Sequence, residues 1–169
     1  MHHPDDLIKL FNRCFMDRYQ TQLAYGVDEP LYEPAYSDKL YHTIYFAHGF
    51  FSSALHECAH WLLAGKARRT LADYGYWYIP DGRTPVEQAL FQQVEVKPQA
   101  LEWLLSKATG YPFQLSFDNL NSTPAERDAF QSAVTQQMLR YQQTGLSGRA
   151  QQFHRVLLDY YQGLGLCDR

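Results

Sequence analysis

His56 and His60 stand four residues apart, with Glu57 beside the first, in the run His56-Glu57-Cys58-Ala59-His60. On an α-helix, side chains at i and i+4 share a face, so both imidazoles can reach one metal ion. Glu57 then projects about 100° around the helix from His56, at 3.6 residues per turn. In zinc peptidases a carboxylate at that position is the general base that activates water. Chance would supply the pattern on the order of 0.01 times in a chain of this composition, so a metal outweighs two histidines with none. The flanking Ala54, Leu55, Trp61, Leu62 and Leu63 suit a helix packed into a core. Two unpartnered histidines would be costly there.

A catalytic metal usually takes three protein ligands and keeps a position open. An Asp, Glu or His further along must therefore complete the set. Glu95 is the first choice, because it stands between Val94 and Val96, an apolar setting in which a carboxylate needs a partner. The alternative is an exposed helix-end Glu paired with Lys97. Asp73, Glu87 and Glu102 are weaker candidates, and Glu87 has a capping role to fill. His48, just ahead of the motif, is either an ordinary loop histidine or a group that supports a ligand or touches substrate. Two His and a carboxylate suit zinc in hydrolases and also non-haem iron that activates dioxygen. Spacing does not separate the two, and the motif alone makes zinc hydrolysis the default.

The elements that must position these groups are legible from periodicity. Leu7, Ile8, Leu10, Phe11, Cys14, Phe15 and Tyr19 repeat at helical spacing, predicting a helix over about 5–22. Residues 26–39 contain Pro30 and Pro34 and read as irregular, and 43–47 reads as a short buried strand. The motif helix should start at Ser52 or Ser53, run to Ala64 and end at Gly65. Residues 74–79 resemble a second strand, followed by a Pro80-Asp81-Gly82 turn. Thr84-Pro85-Val86-Glu87 looks like a capping box that opens a helix to about Glu95. Pro98 then begins a new helix or kinks the old one. Residues 98–108 continue helically, with Leu101, Leu104 and Leu105 on one face and Gly110 at the end. Thr123-Pro124-Ala125-Glu126 repeats the capping box and opens a helix to Thr144. Ser147 is placed to cap a last helix with Phe153, Val156, Leu157, Tyr160 and Tyr161 as its apolar stripe. The expected class is α+β, mainly helical with a small β-sheet and the metal site on the motif helix, with mostly α as the close alternative.

The length of 169 residues fits one domain, and 46% hydrophobic content supports a core. The 13 Tyr and 10 Phe can serve core and site alike. A net charge of −3 and a pI near 6.1 argue against a general nucleic-acid binder. Lys66-Ala67-Arg68-Arg69 reads as a solvated stretch past a helix end. Cys14, Cys58 and Cys167 form neither a disulfide framework nor a zinc ribbon, and reduced thiols in the cytoplasm are the simplest reading. Asp5 and Asp6 fall where the apolar stretch of a signal peptide would begin. No apolar run approaches the ~20 residues that span a bilayer. His2 and His3 are too few for an expression tag.

Several longer strings carry a resemblance. They are Phe46-Ala47-His48-Gly49-Phe50, the motif with Trp61 and Ala64-Gly65-Lys66-Ala67-Arg68-Arg69, Asp73-Tyr74-Gly75-Tyr76-Trp77-Tyr78 with Pro80-Asp81-Gly82-Arg83, Val94-Glu95-Val96-Lys97-Pro98-Gln99-Ala100-Leu101, and Ala108-Thr109-Gly110-Tyr111-Pro112-Phe113. Together they resemble the bacterial elongation factor P hydroxylase family, over about 5–160 and most densely over 45–119. The resemblance implies that 1–169 is a single metal-dependent hydroxylase domain. It implies a reaction in which one oxygen is added to a lysine of elongation factor P that already bears a β-lysyl group. It implies His56, His60 and Glu95 as metal ligands, Fe(II) as the metal and dioxygen as co-substrate, and leaves the electron donor open. The implied setting is cytoplasmic, with no direct contact with nucleic acid or membrane.

In that reading Glu57 need not activate water. It orients a ligand or holds the substrate ammonium. The modified lysine is a long arm with two positive charges, which suits a narrow aromatic channel with carboxylates along it. Tyr74, Tyr76, Trp77, Tyr78, Asp73 and Asp81 are candidates, through cation–π contact and ion pairing. An aromatic core strand and a turn Asp are the plainer reading of the same residues. Asp73, Tyr76, Tyr78 and His48 are carried forward as substrate-binding candidates and Glu57 as the catalytic one. Two alternatives remain: a zinc peptidase or amidase, and a metal that only braces the helices. The second needs a closing fourth ligand, and Cys58 faces away from His56 on a helix.

Overall fold

The computed structural model describes residues 2–26, 28–72, 84–117 and 122–163. Among these, five α-helices and one three-stranded sheet make a mainly helical α+β fold. The expected strand over 74–79, the Pro80-Asp81-Gly82 turn and Cys167 lie outside the described residues.

Helix α1 spans Pro4–Tyr19, with Pro4 in its first turn and the His3 side chain accepting the Asp5 N–H. It stops short of the expected residue 22, because Gln20 adopts a left-handed conformation (φ 48°) that turns the chain. The next residues form strand β1, Thr21–Tyr25, which the periodicity did not announce. Asn12 of α1 fixes its start, accepting the Leu23 N–H at 2.7 Å. Strand β2, Leu31–Glu33, lies in the stretch read as irregular. It is a three-residue edge strand between two prolines, a place where a missing N–H is tolerated. Strand β3, His42–Phe46, is central: β1 pairs with it in parallel (Thr21 opposite His42) and β2 antiparallel (Leu31 opposite Tyr45). Leu23, Ile44 and Phe46 are buried from these strands.

After β3 the chain passes through two left-handed residues, His48 (φ 53°) and Gly49 (φ 65°), into α2, Phe51–Leu63. Neither serine caps this helix. Ser53 Oγ instead accepts the Ala47 N–H at 3.0 Å, pinning the turn. The helix ends one residue before the expected Ala64, whose N–H returns to the carbonyls of His60 and Trp61. Its last carbonyls are capped by guanidinium groups. Arg149 donates to Trp61, Leu62 and Ala64, and Arg69 donates to Ala64 at 2.7 Å. Cations are favourable at this negative end of the helix dipole. Arg69 is therefore a structural cap, which corrects its reading as part of a solvated run. Solvent screens it less because its guanidinium also lies over the rings of Tyr19 and Trp61.

Helix α3, Pro85–Thr109, starts with the expected Thr84–Glu87 capping box and runs as one helix through Pro98 to the left-handed Gly110. Helix α4, Pro124–Thr144, has the Thr123–Glu126 box, and α5, Gly148–Gln162, follows Ser147, whose side chain makes no capping bond. Leu7, Phe11 and Phe15 of α1, Leu55 and Trp61 of α2, Leu101 and Leu105 of α3, and Phe153 and Leu157 of α5 share the main core. Leu104 turns instead, with Ala100, toward Phe130, Val134 and Met138 of α4, so the three α3 leucines serve two clusters. On α5, Tyr160 is exposed while Phe153 and Leu157 are buried, which narrows the expected stripe. No helix among the described residues is long and apolar enough to cross a membrane.

Candidate metal centre

The buried side of α2 consists of Phe51, Ala54, Leu55, Cys58, Ala59, Trp61 and Leu62. This burial anchors the helix and turns His56 and His60, one turn apart, toward α3. Their rings meet edge to face, with centroids 4.7 Å apart. Glu95 of α3 reaches them from the other side and is only 4% exposed. Its Oε1 lies 3.1 Å from His60 Nε2 and its Oε2 lies 3.6 Å from His56 Nε2. The two Nε2 atoms are 3.1 Å apart. One ligand atom from each of the three residues falls within 4.8 Å of the others. Ligand atoms about 2.1 Å from a shared ion would stand about 3.0–3.4 Å apart, so this donor set fits a metal ion.

The electrostatics match an anionic ligand among nitrogen donors. Burial pushes the Glu95 carboxyl up, but the His60 hydrogen bond and the charges of His60 and His56 bring it down to about 2. Burial pulls His56 down, yet Glu102, Glu95 and Glu57 outweigh it and hold the imidazole up at about 10. Three carboxylates around two imidazoles thus favour positive charge between them.

Glu102, weighed above as an alternative third ligand, has a different place. Its Oε2 accepts from His56 Nδ1 at 2.8 Å, which leaves His56 Nε2 to face His60 and Glu95. A carboxylate on the far nitrogen fixes ring orientation and makes the near nitrogen a better ligand. Glu95, Gln99 and Glu102 are spaced i, i+4, i+7, and all three are buried on α3. That polar stripe beside the buried Ala100, Leu101, Leu104 and Leu105 is the signal in the sequence that could have revealed both Gln99 and Glu102. Glu87 is occupied as expected, accepting from Thr84 in the capping box.

A cavity of about 800 Å³ opens along the same face of α2. Ser52, Ser53, Glu57 and the two histidines line it from α2, Phe91, Glu95 and Glu102 from α3. Tyr32, Arg69, Tyr111, Pro112 and 114–116 line other parts of its wall. Glu57, the catalytic candidate, therefore faces the same space as the ligands. Cys58 is fully buried in the core cluster, and burial pushes its thiol well above the usual range. It is not among the described residues lining the cavity, so it does not close the metal site. His48 is exposed on the turn before α2, against Phe50, and is not among the lining residues either. Asp73, Tyr76 and Tyr78, with Tyr74, Trp77 and Asp81, lie outside the described residues.

Two comparisons with known proteins bear on this site. The family model for elongation factor P hydroxylase matches residues 10–167. An elongation factor P lysine hydroxylase from Haemophilus influenzae is 51% identical over 160 residues, which covers 95% of this chain and 90% of that protein. Both names describe hydroxylation, and the hydrolase alternative draws no support from them.

Proposed function

The chain belongs to the elongation factor P hydroxylase family, and from that premise we propose that it adds one oxygen atom to the β-lysylated lysine of elongation factor P at a metal held by His56, His60 and Glu95. The observation that carries the reading is the convergence of two imidazole Nε2 atoms and one deeply buried carboxylate on the wall of a cavity. Breaking an unactivated C–H bond needs an oxidant stronger than any side chain, and Fe(II) bound here would supply it from dioxygen. One oxygen atom enters the C–H bond. The other leaves as water, with two electrons and two protons from an external reductant.

The rest is the work of this chain's own residues. Glu102 holds the His56 ring so that Nδ1–H donates to a carboxylate and Nε2 is turned toward His60 and Glu95, where it would bind the ion. The buried side of α2 excludes water from behind the site. Glu57, on the cavity wall, is placed to hold a substrate ammonium by a charge-assisted hydrogen bond. Asp73, Tyr76, Tyr78 and His48 remain our candidates for contact with the cationic arm. The partner is elongation factor P itself, and the setting in which a translation factor is modified is the cytoplasm.

The test is a mass measurement on β-lysylated elongation factor P incubated aerobically with iron-loaded protein and a reductant. The expected result is a gain of one oxygen atom with the wild-type chain and none with His56→Ala/His60→Ala. Peptide hydrolysis lost in Glu57→Gln, with no oxygen gained by the wild type, would replace this reading with the hydrolase.

A further inference from the structure

Beside the three ligands, one polar side chain is buried more deeply than Glu95: Gln99, 1% exposed. Its Nε2 donates to the carbonyl of Ser116 at 2.9 Å, and its Oε1 accepts the Ser116 N–H at 3.1 Å. One side-chain amide thus satisfies both backbone groups of one residue, as a neighbouring β-strand would. The same Nε2 lies 3.5 Å from Glu95 Oε2, at the long edge of hydrogen-bond range.

The stretch tied in this way matters to the cavity. Residues 111–117 have no regular secondary structure, yet Tyr111, Pro112, Gln114, Leu115 and Ser116 line its wall. Near the helix end the stretch is fixed by the Tyr111 N–H, which donates to the Ser106 carbonyl at 3.0 Å. Further along, Gln99 holds it to α3. The amide suits this position because two separate atoms at the end of the side chain must donate and accept at once. An ionised Glu lacks the donor, and Met or Leu of similar size lacks both.

We propose that Gln99 is a positioning residue that ties the cavity wall at Ser116 to Glu95, so that the substrate-facing wall and the metal-facing carboxylate are held as one unit. The proposal rests on the metal reading given above. It assigns Gln99 two effects: it sets the shape of the wall that receives the substrate, and it limits the rotation of the Glu95 carboxylate.

The test uses the full chain with Gln99→Met, which keeps length and removes both hydrogen bonds, and Gln99→Asn, which keeps the amide but shortens its reach. Asn serves if the Met variant does not fold. Hydrogen–deuterium exchange of the peptide containing Ser116, in metal-free protein, should be several-fold faster in either variant. Anaerobic Co(II) titration followed by visible absorbance should show the dissociation constant rising about tenfold, with an altered spectrum. With elongation factor P, KM should rise more than kcat falls. Unchanged exchange in a folded variant would overturn the tie to the wall. Faster exchange with unchanged Co(II) affinity would overturn the link to Glu95. A wild-type chain that binds no Co(II) would sink the metal reading instead, and the exchange measurement would still judge the Ser116 tie by itself.

Discussion

Helix α2 has two faces in two environments. One consists of Phe51, Ala54, Leu55, Cys58, Ala59, Trp61 and Leu62, each 5% exposed or less, in one core with side chains of α1, α3 and α5. The other carries His56, Glu57 and His60, about a quarter exposed at the two histidines, on the wall of the cavity. The first face makes stability by removing apolar surface from water. The second gathers polar groups that would prefer water unless something binds them. A single 13-residue helix therefore separates folding from chemistry by which way a side chain points. Substitutions on the two faces should fail in different ways.

The largest effect should come from the cavity face. His60→Ala should lower hydroxylation by roughly a thousandfold or more, about 4 kcal/mol of transition-state stabilisation. The thermal midpoint of the metal-free protein should fall less than for a core-face substitution, because Glu95 loses His60 but keeps His56 and Gln99 beside it, and calorimetry beside the mass assay checks both. Loss of fold in this variant would erase the distinction between the faces. On the core face, Leu55→Ala should cost about 2–5 kcal/mol in denaturant unfolding, because it leaves a cavity in the main core. Where that variant stays folded, its metal affinity should match the wild type.

Two smaller effects sharpen the contrast. Glu102→Gln leaves a hydrogen-bond partner for His56 but removes the carboxylate charge. Metal affinity should fall about 10–100-fold, with unfolding of the metal-free chain little changed. An affinity equal to wild type would mean that His56 needs no carboxylate behind it. Thr123→Ala, at the start of α4 and away from the lining residues of the cavity, should cost about 1 kcal/mol through its capping box. It should leave hydroxylation unchanged, and a drop in kcat there would show that α4 is coupled to the site.

What the sequence made legible was local. The His56–His60 spacing, the two Thr–Pro–x–Glu boxes and the apolar periodicities of α1 and α5 each sit within a few residues of one another, where helix geometry alone decides the outcome. The valines beside Glu95 are a poor guide to its setting: Val94 is exposed, and Glu95 is buried because its own face of α3 meets His56 and His60. The features that escaped depend on distant contacts. Arg149 caps α2 across 85 to 88 residues of sequence, and nothing near it predicts that. Gln20 turns the chain in a left-handed conformation that its residue type does not favour, so the helical periodicity runs on over Thr21 and Gln22, the first two residues of β1. The roles of Gln99 and Glu102 appear only when α3 is laid against α2 and the 111–117 stretch. Their i, i+4, i+7 spacing from Glu95 was nevertheless there to be seen.

The claim that Glu95 joins His56 and His60 on one ion is tested most directly by iron analysis of anaerobically purified protein, wild type beside Glu95→Ala. The account predicts close to one iron per wild-type chain and almost none in the variant. Equal iron in both, or a wild type that takes up no iron when it is supplied, would contradict it.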